Sequence, residues 1–342
     1  MILHTPTILM LFASFVTALL GIYGGVFAYK AARFSKEDLT AEKITDLETK
    51  TRFLLIIVSV VIVVRILAMP IFYWALESAV PDIPGAMCAF GVTQVIPGLT
   101  RLLQYLQFPV LFLGVGWLLL NSLDSQTRHQ PFLRRKLYTF SAISIPIVLE
   151  SVGDFYLFFS IKAPPGSGLS CCSTVADVAT RPTALVAGFF LGPGGEGIAF
   201  NAYIIATLVF LAFLLVVLWK GLWRLPYLVI GCIIAAALVP VFWVALNEWI
   251  APMMMNLPYH HCIYCWVKTV PGAFAVAAGF LLGVSGVGWA LVLYLQRGGQ
   301  EVRSIALRYI KGLLVFSFST MLFSFLVVIT HTVMASYYHA MV

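Results

Sequence analysis

The chain has 342 residues, of which 61% are hydrophobic and 10% charged, with a mean hydropathy of +0.98 and a formal net charge of +7. Soluble domains carry about a quarter charged residues, so a soluble globule is excluded. At about 20 apolar residues per bilayer crossing, this length accommodates about eight crossings with short loops and no separate soluble domain.

Apolar runs bounded by charge or by Pro and Gly predict eight helices, at about 7–29, 53–77, 99–121, 138–161, 198–219, 226–249, 272–295 and 310–336. The expected fold is an all-α polytopic membrane protein with a single integral membrane domain over 1–342. No basic residue precedes the first run, while Lys30, Arg33 and Lys36 follow it, so it reads as an anchor and not as a cleavable signal. The loop from Ser35 to Lys50 mixes both charge signs with helix formers, and Ser35 followed by Asp38 suits an N-cap. A short surface helix is expected there.

Orientation follows from the basic residues. Sixteen Lys and Arg fall in the loops after helices 1, 3, 5 and 7, four (Arg101, Lys162, Arg181, Lys268) fall on the other side, and Arg65 lies inside helix 2. By the positive-inside rule both termini are expected outside, in a multi-pass protein of a bacterial inner membrane. The basic balance is therefore a topology signal. A nucleic-acid partner has no basic domain to bind it, and the bilayer is the expected partner.

Three charges are expected within the bilayer. Arg65 comes 13 residues after Arg52, and Glu150 comes 14 after Lys136, which places both about 20 Å along their helices. An Arg65–Glu150 ion pair is expected, because an unpaired charge at that depth is costly. Asp154 lies one turn beyond Glu150 on the same face, with no partner named by the sequence. Such a row of acids suggests a path for protons or cations, against the simpler role of fixing helix 2 to helix 4.

Self-similarity links two regions. Pro70-Ile-Phe-Tyr-Trp-Ala-Leu-Glu77 recurs as Pro240-Val-Phe-Trp-Val-Ala-Leu-Asn247, and Cys88 to Pro97-Gly98 recurs as Cys262 to Pro271-Gly272, with nine residues from Cys to Pro in both. Helices 4–5 fit more loosely, with Pro182 ten residues after Cys172. Three parallel-repeat helical hairpins (2–3, 4–5 and 6–7) flanked by helices 1 and 8 are expected, each with a cysteine-bearing outer loop, at 78–98, 162–197 and 250–271.

Of six cysteines, five (Cys88, Cys171, Cys172, Cys262 and Cys265) fall in those three loops, and Cys232 lies inside helix 6. Met87, Met253-Met254-Met255 and His260-His261 stand beside them. Thiolate and thioether ligands select Cu(I), and imidazole suits copper and zinc. A site made of Cys88, Cys171, Cys172, His260, His261, Cys262 and Cys265 that binds or transfers a soft metal ion, copper first, is therefore the leading expectation. It would fit a subunit of a respiratory or metal-insertion assembly, with other membrane or periplasmic subunits as partners.

Two other readings remain open. Cys262-Ile-Tyr-Cys265 resembles the Cys-x-x-Cys of disulfide-forming quinone reductases and vitamin K epoxide reductases. That resemblance covers four residues, and those families are bundles of four or five helices, so neither their residues nor their activity is carried over. Thiol–disulfide exchange coupled to a quinone rests on the pair itself, since Cys-x-x-Cys lowers the pKa of one thiol, with Cys171 and Cys172 relaying electrons. In the remaining reading disulfides staple the loops of a structural subunit. Five loop cysteines leave one over, and vicinal Cys171 and Cys172 bond to each other only with strain.

Trp266 follows Cys265, so the Cys-x-x-Cys-His attachment signal is missing and a covalent c-type haem is not expected. The sequence contains no phosphate-binding lysine motif, no dinucleotide fingerprint and no His-Glu-x-x-His helix. Gly192-Pro-Gly-Gly-Glu196-Gly197 follows no strand and reads as a loop.

Overall fold

The computed structural model describes residues 4–33, 41–127, 131–161, 172–192, 195–296 and 300–341. Helices account for the secondary structure of these residues, and no strand occurs among them. Among the described residues eight helices are long and apolar enough to cross a membrane, so the protein is an all-α polytopic membrane protein. The chain divides into two compact units, Met1–Leu169 and Ser170–Val342, and the loop expected between helices 4 and 5 contains the division.

The first unit holds four long helices, α1 (Thr5–Arg33), α2 (Ala41–Ser78), α4 (Pro97–Ser125) and α5 (Leu133–Ser160), with the short α3 (Ala89–Thr93) before α4. They close a ring in which α1 packs on α2 and α5, and α4 packs on α2 and α5. Of the surface helix expected over 35–50, residues 35–40 with the Ser35 cap lie outside the described residues. From Ala41 onward the helix runs unbroken into α2, because the charged turns continue it past the apolar run.

The buried face of α1 is small and polar, with Thr7, Ser14, Thr17, Gly21, Gly24, Gly25 and Ala28. Its opposite face exposes Phe12, Phe15, Leu19 and Ile22. In lipid, apolar side chains gain nothing by leaving the surface, and small residues let backbones approach closely. A Cβ on Gly24 would stand 3.0 Å from the ring of Phe140, and one on Gly25 would collide with Ser144, so these glycines set how closely α1 meets α5. Where α4 gives way to α5, the Lys136 ammonium meets Asp124 at 2.7 Å and donates to Asn121 Oδ1 at 2.9 Å. Asp124 Oδ1 accepts from the Phe132 N–H, and Trp117 Nε1–H donates to the Lys136 carbonyl.

The charged residues meet midway along the first unit. Arg65 Nη2 lies 2.6 Å from Glu150 Oε1 and 3.0 Å from Asp154 Oδ2. The expected Arg65–Glu150 pair is present. Asp154, for which the sequence named no partner, has two, since Ser14 Oγ also donates to its Oδ2 at 3.0 Å.

The second unit holds α6 (Cys172–Val175), α7 (Pro182–Leu191), α8 (Gly195–Lys220), α9 (Leu225–Ala245), α10 (Ala251–Met255), α11 (Ile263–Thr269), α12 (Ala273–Leu295) and α13 (Gln300–Met341). Its long helices α8, α9, α12 and α13 also close a ring of four. Gly221 ends α8 at φ +63, a left-handed position that favours glycine. The Leu222 N–H then reaches back to the Val217 carbonyl at 3.0 Å, closing the helix end. The tightest contact is α12 on α13. A Cβ on Gly286 would lie 2.8 Å from Ser317 Cβ, and one on Gly283 would lie 3.0 Å from Met321 Cβ. Ser317 Oγ donates to the Gly283 carbonyl, and Ser324 Oγ donates to that of Val276.

Candidate metal centre

The cysteine-bearing segments are shaped by one proline. After Ala245 the helix widens into a π turn over Leu246–Ile250 and then resumes as α10. Pro252 is the reason: in an α-helix its ring would clash with the carbonyl four residues back, and it has no N–H to donate. In the wider turn the Ala251 N–H bonds the Leu246 carbonyl. By the same five-residue step, the Asn247 carbonyl would pair with the nitrogen of Pro252, which has no proton. That carbonyl is taken instead by His261 Nδ1 at 2.8 Å. A carbonyl only accepts, so Nδ1 carries the hydrogen of this bond.

The chain leaves α10 through Asn256, whose φ of 56 and ψ of 34 are left-handed, a conformation that asparagine tolerates. It then turns through His260 to Cys262. Cys262 caps α11 in an extended conformation, and Cys265 follows in the first turn. One helical turn thus puts both sulfurs on one side. Cys88 occupies the matching place in the first unit, as the extended N-cap residue of α3. Cys172 opens α6.

Two acid clips hold the Cys172 segment to the Cys262 segment. Asp177, just past α6, accepts His260 Nδ1–H on Oδ2 and the His261 backbone N–H on Oδ1, both at 2.8 Å. Four residues on, Arg181 makes a two-pronged pair with Glu248 of the π turn, Nε to Oε1 at 3.0 Å and Nη2 to Oε2 at 2.6 Å. Glu248 is buried, and so is Arg181.

The outcome in the second unit is a cluster of three cysteines. The Sγ positions of Cys172, Cys262 and Cys265 all lie within 4.8 Å of one another, and the group could hold a metal ion. Cys172 and Cys262 are buried, and Cys265 is half-buried. A tetrahedral ion with metal–sulfur bonds of about 2.3 Å holds its sulfurs about 3.8 Å apart, which this spacing accommodates. No described cysteine is joined in a disulfide.

Of the residues expected at the site, Cys172, Cys262 and Cys265 come together in the second unit, and Cys88 belongs to the first. Cys171 lies outside the described residues. His260 and His261 are not members of the sulfur group; their Nδ1 atoms serve Asp177 and Asn247. Cys232 is half-buried within α9. Sequence reasoning did not find Asp177, or the pairing of Arg181 with Glu248. The available signals were an acid five residues after Cys172 and a basic residue stranded among the outer loops.

No protein-family model, curated protein or solved structure matches this chain.

Proposed function

We propose that the protein binds a soft metal ion through the thiolates of Cys172, Cys262 and Cys265, with Cys88 as the fourth thiolate that the repeated sequence offers, and that it holds or passes this ion on the membrane face opposite its Lys- and Arg-rich loops. The observation that carries this reading is the cluster of three sulfurs, those of Cys172, Cys262 and Cys265, within 4.8 Å. Copper(I) is our first choice, since thiolates select it, and zinc is the competing ion for an all-sulfur tetrahedral set. His260 and His261 serve as outer partners. Each has its Nδ1 fixed by an acceptor, the arrangement that orients imidazoles around metal sites. Cys171, adjacent to Cys172, is a reserve thiolate. Such a site would suit a subunit of a respiratory or metal-insertion complex in a bacterial inner membrane, with both termini outside.

The test is metal analysis of the purified full-length protein together with thiol counting before and after reduction. About one copper or zinc per chain, lost on Cys265→Ser and on Cys172→Ser, is expected of a four-thiolate site. Metal-free protein carrying a reducible cysteine pair that responds to added quinone overturns the proposal in favour of thiol redox chemistry. Metal-free protein with inert disulfides leaves only the stapled-loop reading.

A further inference from the structure

The first unit contains a second polar centre, remote in kind from the cysteine chemistry. Arg65 is one cation facing two carboxylates, those of Glu150 and Asp154. All three are buried. With both acids ionised the group carries a surplus negative charge in a setting where unpaired charge is costly. Asp154 is well served on Oδ2, by Arg65 and Ser14. Glu150 meets Arg65 through Oε1 alone; Glu150 Oε2 and Asp154 Oδ1 both have no protein hydrogen-bond partner, and of the two acids only Glu150 lines the cavity beside them.

A small cavity of about 10 Å³ opens beside these groups, lined by Arg65 and Glu150 and by Gln107 of α4, among apolar side chains that include Ile62 and Ile147. Gln107 is 3% exposed, and neither its Oε1 nor its Nε2 has a protein partner. A buried amide with both ends unsatisfied, lining a polar cavity, marks a site built for a small polar guest. The volume suits one water molecule. It is too small for a hydrated cation, and the guanidinium already sits where a metal ion would be drawn. The guest that removes the surplus charge without occupying volume is a proton.

We propose that Glu150 is a proton-binding group within the membrane, with Arg65 and Asp154 as its fixed ion pair and a water held by Gln107 as the donor and acceptor at its Oε2. Loading forms an O–H bond at Glu150 Oε2 with a proton delivered by that water from the aqueous phase. It leaves a neutral carboxyl beside the Arg65–Asp154 pair. Release breaks the O–H bond, returns the proton to water and restores the surplus charge. No electrons move. The groups that face the site are Ser14 and Thr17 of α1, Arg65 of α2, Gln107 of α4, and Ser151 and Asp154 of α5, with Thr17 and Ser151 hydroxyls in contact at 2.9 Å. Along α1 the buried Thr7, whose hydroxyl has no protein partner, extends this polar column toward the end where His4 meets Asp82 at 2.9 Å.

Infrared difference spectroscopy of the full-length protein in lipid nanodiscs, recorded against pH, tests this directly. A buried-carboxyl C=O band is expected to grow as pH falls, to shift in D2O, to shift with side-chain ¹³C labelling of glutamate and not of aspartate, and to vanish in Glu150→Gln. The unaltered protein carries the isotope test, so a poorly folding variant does not obscure it. Gln107→Leu, which removes no charge, is expected to move the band's frequency and slow its deuterium exchange. Absence of such a band at every pH where the protein stays folded overturns the proposal. So does a band that follows aspartate labelling alone, one that survives Glu150→Gln, or one indifferent to Gln107→Leu. None of these readouts depends on metal, so this test and that of the cysteine site fail independently.

Discussion

The two units are built alike and filled differently. Each closes four long helices into a ring with the same neighbours. In each, the second helix carries a proline (Pro70, Pro240), and a short helix capped by a cysteine (Cys88, Cys262) leads to a Pro-Gly pair at the third helix. Extending the repeated strings places Ala235 opposite Arg65 and Leu281 opposite Gln107. The first unit thus has charge and an unsatisfied amide where the second has alanine and leucine. The second unit is closed by glycines on serines and by stacked rings, with Phe242 and Phe280 at 3.8 Å between centroids and 15° apart. The second unit's buried ion pair, Arg181 with Glu248, lies instead at the cysteine-bearing segments, so the lesson is that a membrane bundle of this shape holds together without charge at the position of Arg65. The charge in the first unit calls for a reason other than cohesion, because buried ion pairs are weak stabilisers when compared with well-packed apolar replacements.

The largest effect that would break this comparison is at Arg65. Arg65→Met leaves two buried acids uncompensated and is expected to destabilise the first unit by about 3–5 kcal/mol. Denaturation in bicelles measures it. The triple change Arg65→Met, Glu150→Gln, Asp154→Asn is expected to recover most of that loss, since no charge is then left alone. A triple variant as weak as the single one would mean that the charges are structural cement after all.

In the second unit, Gly286→Ala forces a methyl against Ser317 and is expected to lower stability by about 1–3 kcal/mol through overpacking. The same assay reads it, and an unchanged midpoint would show that the α12–α13 contact is loose. At the cysteine loops, Asp177→Ala removes the acceptor of both His260 and His261. Metal affinity is expected to fall by about 10–100-fold, as it does when outer partners of metal ligands are lost, with helix content unchanged by circular dichroism. The smallest effect is expected at Ser317→Ala. It removes one interhelical hydrogen bond, worth about 0.6 kcal/mol in membrane proteins, and a loss several times larger would show that the second unit leans on polar contacts more than its composition implies.

The eight spans were legible because apolar runs of bilayer length have few other uses. Their ends were less so. α2 begins at Ala41 and α13 at Gln300, where charged turns extend the helix beyond the apolar run. The Arg65–Glu150 pair could be read from depth and sign alone. The Ser14 hydroxyl on Asp154 could not, because it comes from 140 residues away on a helix with no charge to announce it. Segregation of cysteines into particular loops pointed to the three that gather in the second unit. It gave no hint of the clips made by Asp177 and Arg181, which depend on contacts between distant segments, nor that those clips would engage the histidines expected as ligands.

Pro252 governs ownership of one carbonyl. Any other residue there would restore an N–H, and the helix would compete with His261 for Asn247. The proline settles that contest by omitting a single hydrogen atom, so the loop bearing Cys262 and Cys265 stays latched while α9 continues into α10. A helix-breaking residue here acts as a lock for the neighbouring loop, and Pro252→Ala would straighten the helix at the expense of the latch.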